Sequence, residues 1–148
     1  MDLVDNYFGR IMPFLSFFPL FAFMYAGYLF LYLVGFFPEK LSFVIAHVGL
    51  PSGFVWRPTW GDLVVLLGLI TLNIEVFKAT RTSNVSIVDH TLSTLVFIAF
   101  LISWMISPWT VGPKGDSTFL FLTLMSFIDV IAGFTITISA ARRDFGGS

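Results

Sequence analysis

Asp129 lies in the middle of the apolar stretch LMSFIDVIAGFTITI, residues 124–138. A charged side chain at the centre of a bilayer costs at least about 2.5 kcal/mol, so an acid in such a stretch calls for a partner or a function. A carboxyl group at this depth can bind a proton or a cation, and we expect it to be protonated unless a cation lies close by. The spans predicted below place no lysine or arginine at the depth of Asp129.

Three small or weakly polar residues share a helical face with Asp129. Ser126, Gly133 and Thr137 follow one another with Asp129 at spacings of three or four residues, which places them on one side of a helix. Small residues at this spacing let helices approach closely in a membrane. The face is therefore predicted to pack against another helix.

Two interpretations of Asp129 remain open. It is either an ion-binding carboxylate or a protonated group that donates a structural hydrogen bond to a neighbouring helix. The partners expected at a similar depth are Tyr25, Tyr28, Thr71 and Thr94.

Glu75 is the second acid predicted inside the membrane. It lies near the end of an apolar stretch, three residues before Lys78. The spacing predicts an ion pair between these two side chains, with the lysine stem extending toward the surface. Under an ion-transport hypothesis, Glu75 is instead a second ion- or proton-binding candidate beside Asp129.

Aromatic and histidine residues suggest a cofactor only weakly. Tyr25, Tyr28 and Tyr32 form a stripe at helical spacing, which is more typical of helix packing than of a cofactor site. His90 could ligate a single pigment, whereas His47 is predicted on the opposite side of the membrane. The chain has no cysteine, and it contains no Walker, HExxH, GxSxG or GxGxxG motif. The sequence therefore requires no cofactor, and none can be named from it.

The elements that must position these residues are predicted to be membrane-spanning helices. The composition is 57% hydrophobic and 11% charged, far from the roughly 25% charged residues of soluble domains. Apolar stretches of about 20 residues predict helices over 13–37, 61–79, 87–107 and 118–141. The fold class is thus all-α: an integral membrane bundle of four transmembrane helices, forming a single domain over 1–148. Residues 41–50 are too few to cross, so we predict a short interfacial or re-entrant segment in the first loop.

Capping patterns refine these boundaries. Thr59 with Asp62 and Ser86 with Asp89 both fit an S/T-x-x-acid capping box, and Ser117 is the predicted N-cap of the last helix. We therefore expect both acids to satisfy helix N-termini.

The distribution of basic residues predicts that both termini are cytoplasmic, in a multi-pass arrangement. Five basic residues fall on the predicted inner side and three on the outer side. The inner residues are Arg10, Lys78, Arg81, Arg142 and Arg143, and the outer ones are Lys40, Arg57 and Lys114. Four tryptophans flank the outer loops, as expected of an aromatic belt at one interface: Trp56, Trp60, Trp104 and Trp109.

These features favour a non-catalytic integral membrane subunit or scaffold that packs in a larger complex or against copies of itself. The alternative is a small oligomeric proton- or cation-coupled transporter or channel that uses Asp129. A weaker third hypothesis is an interfacial lipid-modifying enzyme built on Glu39, His47 and Arg57. The expected partners are the lipid bilayer and other membrane subunits or itself. Nucleic acid is not expected, because the net charge is −1 and no basic patch occurs.

Overall fold

The structure is a computed structural model that describes residues 18–80, 86–106 and 116–146. At 86–87, 140–141 and 143–146 it describes the helix backbone and not the side chains. The predictions that fall on Arg10, residues 13–17, Arg81, Ser107, Trp109 and Lys114 lie outside the described residues.

The described residues form four helices, one in each predicted span. We name them α1, Leu20–Leu33; α2, Trp60–Ala79; α3, Ser86–Ile106; and α4, Ser117–Gly146. Helices α2, α3 and α4 are long and apolar enough to cross a membrane. Helix α1 has 14 residues, which span about 21 Å against a hydrocarbon core of about 30 Å. The described part of the chain therefore contains three candidate spans where the sequence predicts four.

Helix α1 ends at Leu33, four residues before the predicted end at 37. Gly35 adopts a positive φ of 76°, which a glycine tolerates without strain. Its N–H donates to the carbonyl of Tyr32, and the N–H of Phe36 donates to the carbonyl of Leu31. This pair of bonds is a Schellman motif that closes the helix. The predicted end was wrong because Pro38 was taken as the stop and Gly35 as part of the helix.

The first loop forms a small β-hairpin, so the all-α prediction needs correction. Strand β1, Val48–Gly49, pairs antiparallel with strand β2, Val55–Trp56. Gly53, at a φ of 84°, closes the turn between the two strands. A further bridge joins Val44 to Thr59. Residues 43–50 thus lie in largely extended backbone that pairs with residues 54–60. The interfacial or re-entrant location of residues 41–50 stays a prediction.

The predicted capping box at the start of α2 is confirmed. The N–H of Asp62 donates to the Thr59 hydroxyl, and the Asp62 carboxylate accepts the N–H of Thr59 at 2.8 Å. This exchange satisfies two backbone donors that the helix cannot satisfy itself.

The start of α4 is capped by Asp116 and not by the predicted Ser117. Asp116 Oδ1 accepts the N–H of Phe119 at 2.8 Å. Its other oxygen, Oδ2, accepts the hydroxyl of Tyr28 at 2.7 Å. One carboxylate therefore caps α4 and joins it to α1. The sequence could not reveal the Tyr28 contact, because the two residues lie 88 positions apart.

Helix α4 is the central helix of the described bundle. It packs most extensively against α2 and α3, and α1 contacts the same two helices. The core is aromatic around Phe100 and Phe119, whose ring centroids lie 5.2 Å apart. The remaining members of this core are Phe21, Tyr28, Phe37, Val64, Leu122 and Met125.

Gly68 sets the approach of α2 to α4. A Cβ atom at this position would lie 2.7 Å from Leu122 Cδ2 and 2.8 Å from Met125 Sδ, both closer than ordinary contacts. Leu122 is fully buried, so it has little room to move. The missing side chain of Gly68 is thus what lets the two helices touch.

We expect Gly68→Leu to destabilise the bundle by about 1–3 kcal/mol through overpacking. Gly27→Leu is the matched control, because a Cβ at Gly27 meets no atom within 4 Å. Reversible unfolding in mixed micelles, followed by circular dichroism, measures both variants. Equal stability of the two variants would contradict this account of the α2–α4 contact.

Candidate functional site

The side chain of Lys78 lies among oxygen atoms at the end of α2. Its Nζ is 2.9 Å from Glu75 Oε2 and donates to the carbonyl of Phe18 at 3.1 Å. The predicted Glu75–Lys78 pair is therefore formed. Nζ also lies 2.9 Å from Asp89 Oδ1, as an ion pair whose angles fall outside hydrogen-bond geometry. The side chains of Glu75 and Asp89 are 2% and 8% exposed, so this charge pairing takes place away from the surface.

Asp89 was expected to serve the N-terminus of α3, where it lies in the first turn. One oxygen of its carboxylate, Oδ1, lies against Lys78 on α2. The side chain of Ser86, its predicted capping partner, lies outside the described side chains. The spacing of Ser86 and Asp89 describes α3 alone, so it could not indicate that Asp89 also contacts Lys78 on α2.

Glu75 has a second function that sequence reasoning missed. Its Oε1 accepts the backbone N–H of Leu20, the first residue of α1. The preceding Pro19 offers no side-chain cap, and the first N–H groups of a helix have no partner inside it. The Glu75 carboxylate thus caps α1 from a neighbouring helix while it pairs with Lys78.

Asp129 points into the bundle, as its helical face predicts, and is 5% exposed. The Ser93 side chain of α3 lies beside its carboxylate. Asp129 also lies close enough to Glu75, Asp89 and Lys78 to interact with their charges. Its Oδ2 is buried and accepts no hydrogen bond from the described residues. We call these five residues, Glu75, Lys78, Asp89, Ser93 and Asp129, the carboxylate cluster.

Three of the four partners predicted for Asp129, namely Tyr25, Tyr28 and Thr94, bond elsewhere, and no described hydrogen bond joins Thr71 to Asp129. The Tyr25 hydroxyl lies 2.7 Å from Ser103 Oγ. Tyr28 donates to Asp116, and Thr94 donates to a carbonyl of its own helix. Tyr32, the third residue of the stripe, is half-buried and its hydroxyl bonds to no described residue. Two of the three tyrosines therefore join helices, as the packing interpretation expects.

Ser126 extends the polar face beyond Asp129. It is fully buried, and its Oγ has no hydrogen-bond partner among the described residues. The two residues are three positions apart on α4 and therefore neighbours on its surface. Two adjacent buried polar atoms without partners are unusual, since nearly all such groups are satisfied by protein or ordered water.

His90 lies against the rest of the predicted packing face. Its Nε2 is 2.8 Å from Thr137 Oγ1. A Cβ atom at Gly133 would lie 2.6 Å from His90 Nδ1, so the imidazole occupies the space that the glycine leaves. Both ring nitrogens therefore face α4. The suggestion that His90 ligates a pigment stays a prediction.

The residues of the enzymatic hypothesis do not form a constellation in the structure. Glu39, His47 and Arg57 are all exposed. In the described part of the chain they make no hydrogen bond or ion pair with one another. Nowhere in the described part of the chain do three or more His, Asp or Glu side chains lie close enough together to hold a metal ion.

Three apolar helices of spanning length and a buried charged cluster are together typical of a helical membrane protein. No protein-family model, curated protein or solved structure matches the chain. The function is therefore inferred from the site itself.

We expect Lys78→Met to destabilise the fold by about 3–5 kcal/mol, because it leaves buried carboxylates without their cation. Lys40→Met is the control, since Lys40 is exposed and surface changes usually stay within about 0.5 kcal/mol.

Adding Glu75→Gln to Lys78→Met should restore part of the lost stability. Glutamine removes a buried charge and keeps an oxygen for the N–H of Leu20. A double-mutant cycle in mixed micelles measures the coupling. Strictly additive effects would contradict the assignment of one shared cluster.

Proposed function

We propose that this is an integral membrane protein that binds and releases a proton at the carboxylate cluster, as a small oligomeric proton-coupled transporter or channel. The observation that supports this most is the charge balance of the cluster. Three buried carboxylates, those of Glu75, Asp89 and Asp129, face one ammonium group, that of Lys78.

The imbalance has an energetic consequence. An ion removed from water loses several kcal/mol of solvation, which a paired charge can return and an unpaired one cannot. Lys78 can neutralise one carboxylate of the three. Protonation of a remaining carboxyl removes excess charge without any further side chain. Asp129 is the favoured proton acceptor, because it lacks a direct contact with Lys78 and its Oδ2 is unpartnered within the described residues.

The polar groups also lie in a sequence that a proton could follow. Lys78 is the most accessible member of its ion pairs, with 16% of its side chain exposed. Asp89 and Ser93 follow along α3, and Asp129 lies beside Ser93. Ser126 precedes Asp129 by three residues on α4. It therefore lies about 4.5 Å farther from the Lys78 end of the bundle. Ion pathways in membranes are built from such chains of polar groups.

An oligomer is part of the proposal because four helices cannot surround a wide pore. Helices α2 and α3 leave most of their surface uncovered by the rest of the chain. These faces are available to lipid or to further copies.

Asp129→Asn should abolish pH-driven proton flux in vesicles that contain the purified protein, while the variant still folds. Asparagine keeps the size and hydrogen bonding of the side chain but cannot exchange the carboxyl proton. Infrared difference spectra recorded across a pH titration should lose one carboxyl band. Asp62→Asn is the matched control, because Asp62 is exposed and caps a helix outside the cluster. Unchanged flux and an unchanged carboxyl spectrum in Asp129→Asn would refute the proposal.

The second candidate is a non-catalytic membrane subunit or scaffold. The exposed apolar face of α2 favours it, because such a face can pack against other subunits as well as lipid. Its members include Leu66, Leu67, Leu69, Ile70, Ile74 and Phe77.

For a subunit, extraction in a mild neutral detergent should yield an oligomer or a complex with a co-purifying membrane protein. Ile70→Lys should disrupt that assembly, because a charge in an apolar interface must be desolvated. Native mass spectrometry measures both. A strictly monomeric wild-type particle with no co-purifying protein would exclude this candidate. Asp129→Asn should leave the assembly intact under either function, so the loss or retention of proton flux in that variant separates the two.

A further inference from the structure

Residues 18–20, which we call the strap, cross the Glu75–Lys78 ion pair at one end of the carboxylate cluster. The carbonyl of Phe18 accepts a hydrogen bond from Lys78 Nζ at 3.1 Å, and the N–H of Leu20 donates to Glu75 Oε1. The ion pair itself is 2.9 Å long, from Nζ to Oε2. The strap thus presents an acceptor to the cation and a donor to the anion.

Pro19 joins these two backbone contacts and is fully buried. Its ring restricts φ, which is −66° here, and the residue carries no backbone N–H. A buried N–H without a partner costs free energy, and proline introduces none at this position. Pro19 therefore orients the carbonyl before it and the N–H after it without adding a donor that needs a partner.

An apolar groove beside the strap gives it room to move. The groove has a volume of about 230 Å³ and lies between α1 and α3, with Phe18 and Pro19 on one side and Leu92 and Leu95 on the other. Helix α1 also packs less extensively on its neighbours than α2 and α3 pack on α4. Segments with few packed contacts open locally at a low cost in free energy. The two bonds to the ion pair are thus a substantial part of what holds the strap closed.

The rest of α1 is fixed more firmly. Phe21 is fully buried, and its ring stands edge-on to that of Phe100, with the centroids 6.4 Å apart. Farther along the helix, Tyr28 donates to the Asp116 carboxylate. Movement at this end is therefore confined to the strap, and α1 itself keeps its place.

We infer that the strap is a gate on the proton site, closed while Glu75 is charged and open while Glu75 holds a proton. This inference rests on the proposed function. The charged groups that face Glu75 are Lys78 on its own helix, Asp89 on α3 and Asp129 on α4, and α1 contributes its backbone. His90 of α3 lies beside Asp89 and Lys78.

A proton on Glu75 weakens the bond that closes the strap. A neutral carboxyl group accepts the N–H of Leu20 less strongly, because charge-assisted hydrogen bonds are roughly twice as strong as neutral ones. A proton that then passes from Glu75 to the Asp129 carboxylate restores the negative charge of Glu75, and the strap closes again. The strap is thus open while Glu75 exchanges its proton with water and closed while Asp129 holds it, and such a segment separates a site from water during one step of a cycle.

The test uses the full chain in lipid nanodiscs and follows the strap with a nitroxide label. The sequence contains no cysteine, so Phe18→Cys provides a unique labelling site. The Phe18 side chain is 43% exposed and Lys78 binds only its backbone carbonyl, so the label leaves that contact in place. We expect the mobile fraction of the electron paramagnetic resonance spectrum to rise as the pH falls, with the steepness of a single proton.

The control for this titration is a label on Phe30→Cys. Phe30 is exposed on the same helix but lies beyond the strap, so its spectrum should not respond to pH. A label on Phe18→Cys that also stays unchanged over the whole pH range would overturn the gate.

Glu75→Gln in the Phe18→Cys background fixes the side chain in a neutral form of the same size. The label should then show the mobile spectrum at every pH. Asp116→Asn is the matched control, because Asp116 is also a carboxylate that caps a helix, at the opposite end of the bundle. It should leave the pH response intact. An immobile label in folded Glu75→Gln would contradict the proposal, and if that variant does not fold, the titration of the parent decides.

Asp129→Asn distinguishes a failure of the gate from a failure of the proposed function. The label should still respond to pH in this variant, because Glu75 keeps its carboxyl group, while proton flux should be lost. Flux in the parent together with a label that ignores pH would refute the gate alone. Unchanged flux in Asp129→Asn together with a responsive label would refute the proposed function, and with it the role of the strap in transport.

Discussion

The ammonium group of Lys78 is the charge around which one end of the bundle is arranged. It contacts Glu75 on its own helix, Asp89 on α3 and the carbonyl of Phe18 just before α1. Without this cation, the carboxylates beside it would be buried charges with no compensation. The positions of three helices at this end therefore depend on one ion-pair network. At the opposite end, Asp116 has a comparable effect, because its carboxylate joins the start of α4 to Tyr28 of α1.

Much of the helical architecture follows from the sequence, because apolar length and local capping are short-range properties. The start and end of α2 agree with the predicted boundaries within one residue, and the Thr59–Asp62 capping box is formed as predicted. The predicted boundaries are wrong where a second local preference of the backbone competes with apolar length. Gly35 ends α1 earlier than Pro38 would, and Val48 and Gly49 form a strand in a chain predicted to be all-α. Helix α4 also continues past 141, because alanine and arginine there favour a helix beyond the apolar stretch.

The sequence predicted only those contacts of the carboxylate cluster that join residues of the same helix, together with the face on which each residue lies. The spacing placed Asp129 on an inward face and paired Glu75 with Lys78, and the structure has both features. The contacts of Lys78 with Asp89 and of Ser93 with Asp129 join different helices, and spacing within one helix carries no information on them. Lys78 also shows why counts of basic residues predict orientation weakly. It is counted among the basic residues of the inner side, yet its side chain lies inside the bundle and is largely neutralised there.

The two oxygens of Glu75 connect the charge state of the cluster to the start of α1. Oε2 faces Lys78, while Oε1 accepts the first N–H of α1. A carboxylate that loses its charge is a weaker hydrogen-bond acceptor, because charge-assisted bonds are roughly twice as strong as neutral ones. Pro19 supplies no alternative cap, so α1 depends on this one acceptor for the N–H of Leu20. Because Asp129 interacts electrostatically with Glu75, a proton gained or lost at Asp129 changes how readily Glu75 keeps its own charge. The arrangement thus gives the cluster a physical connection to the position of the first helix, through bonds that already exist in the folded chain.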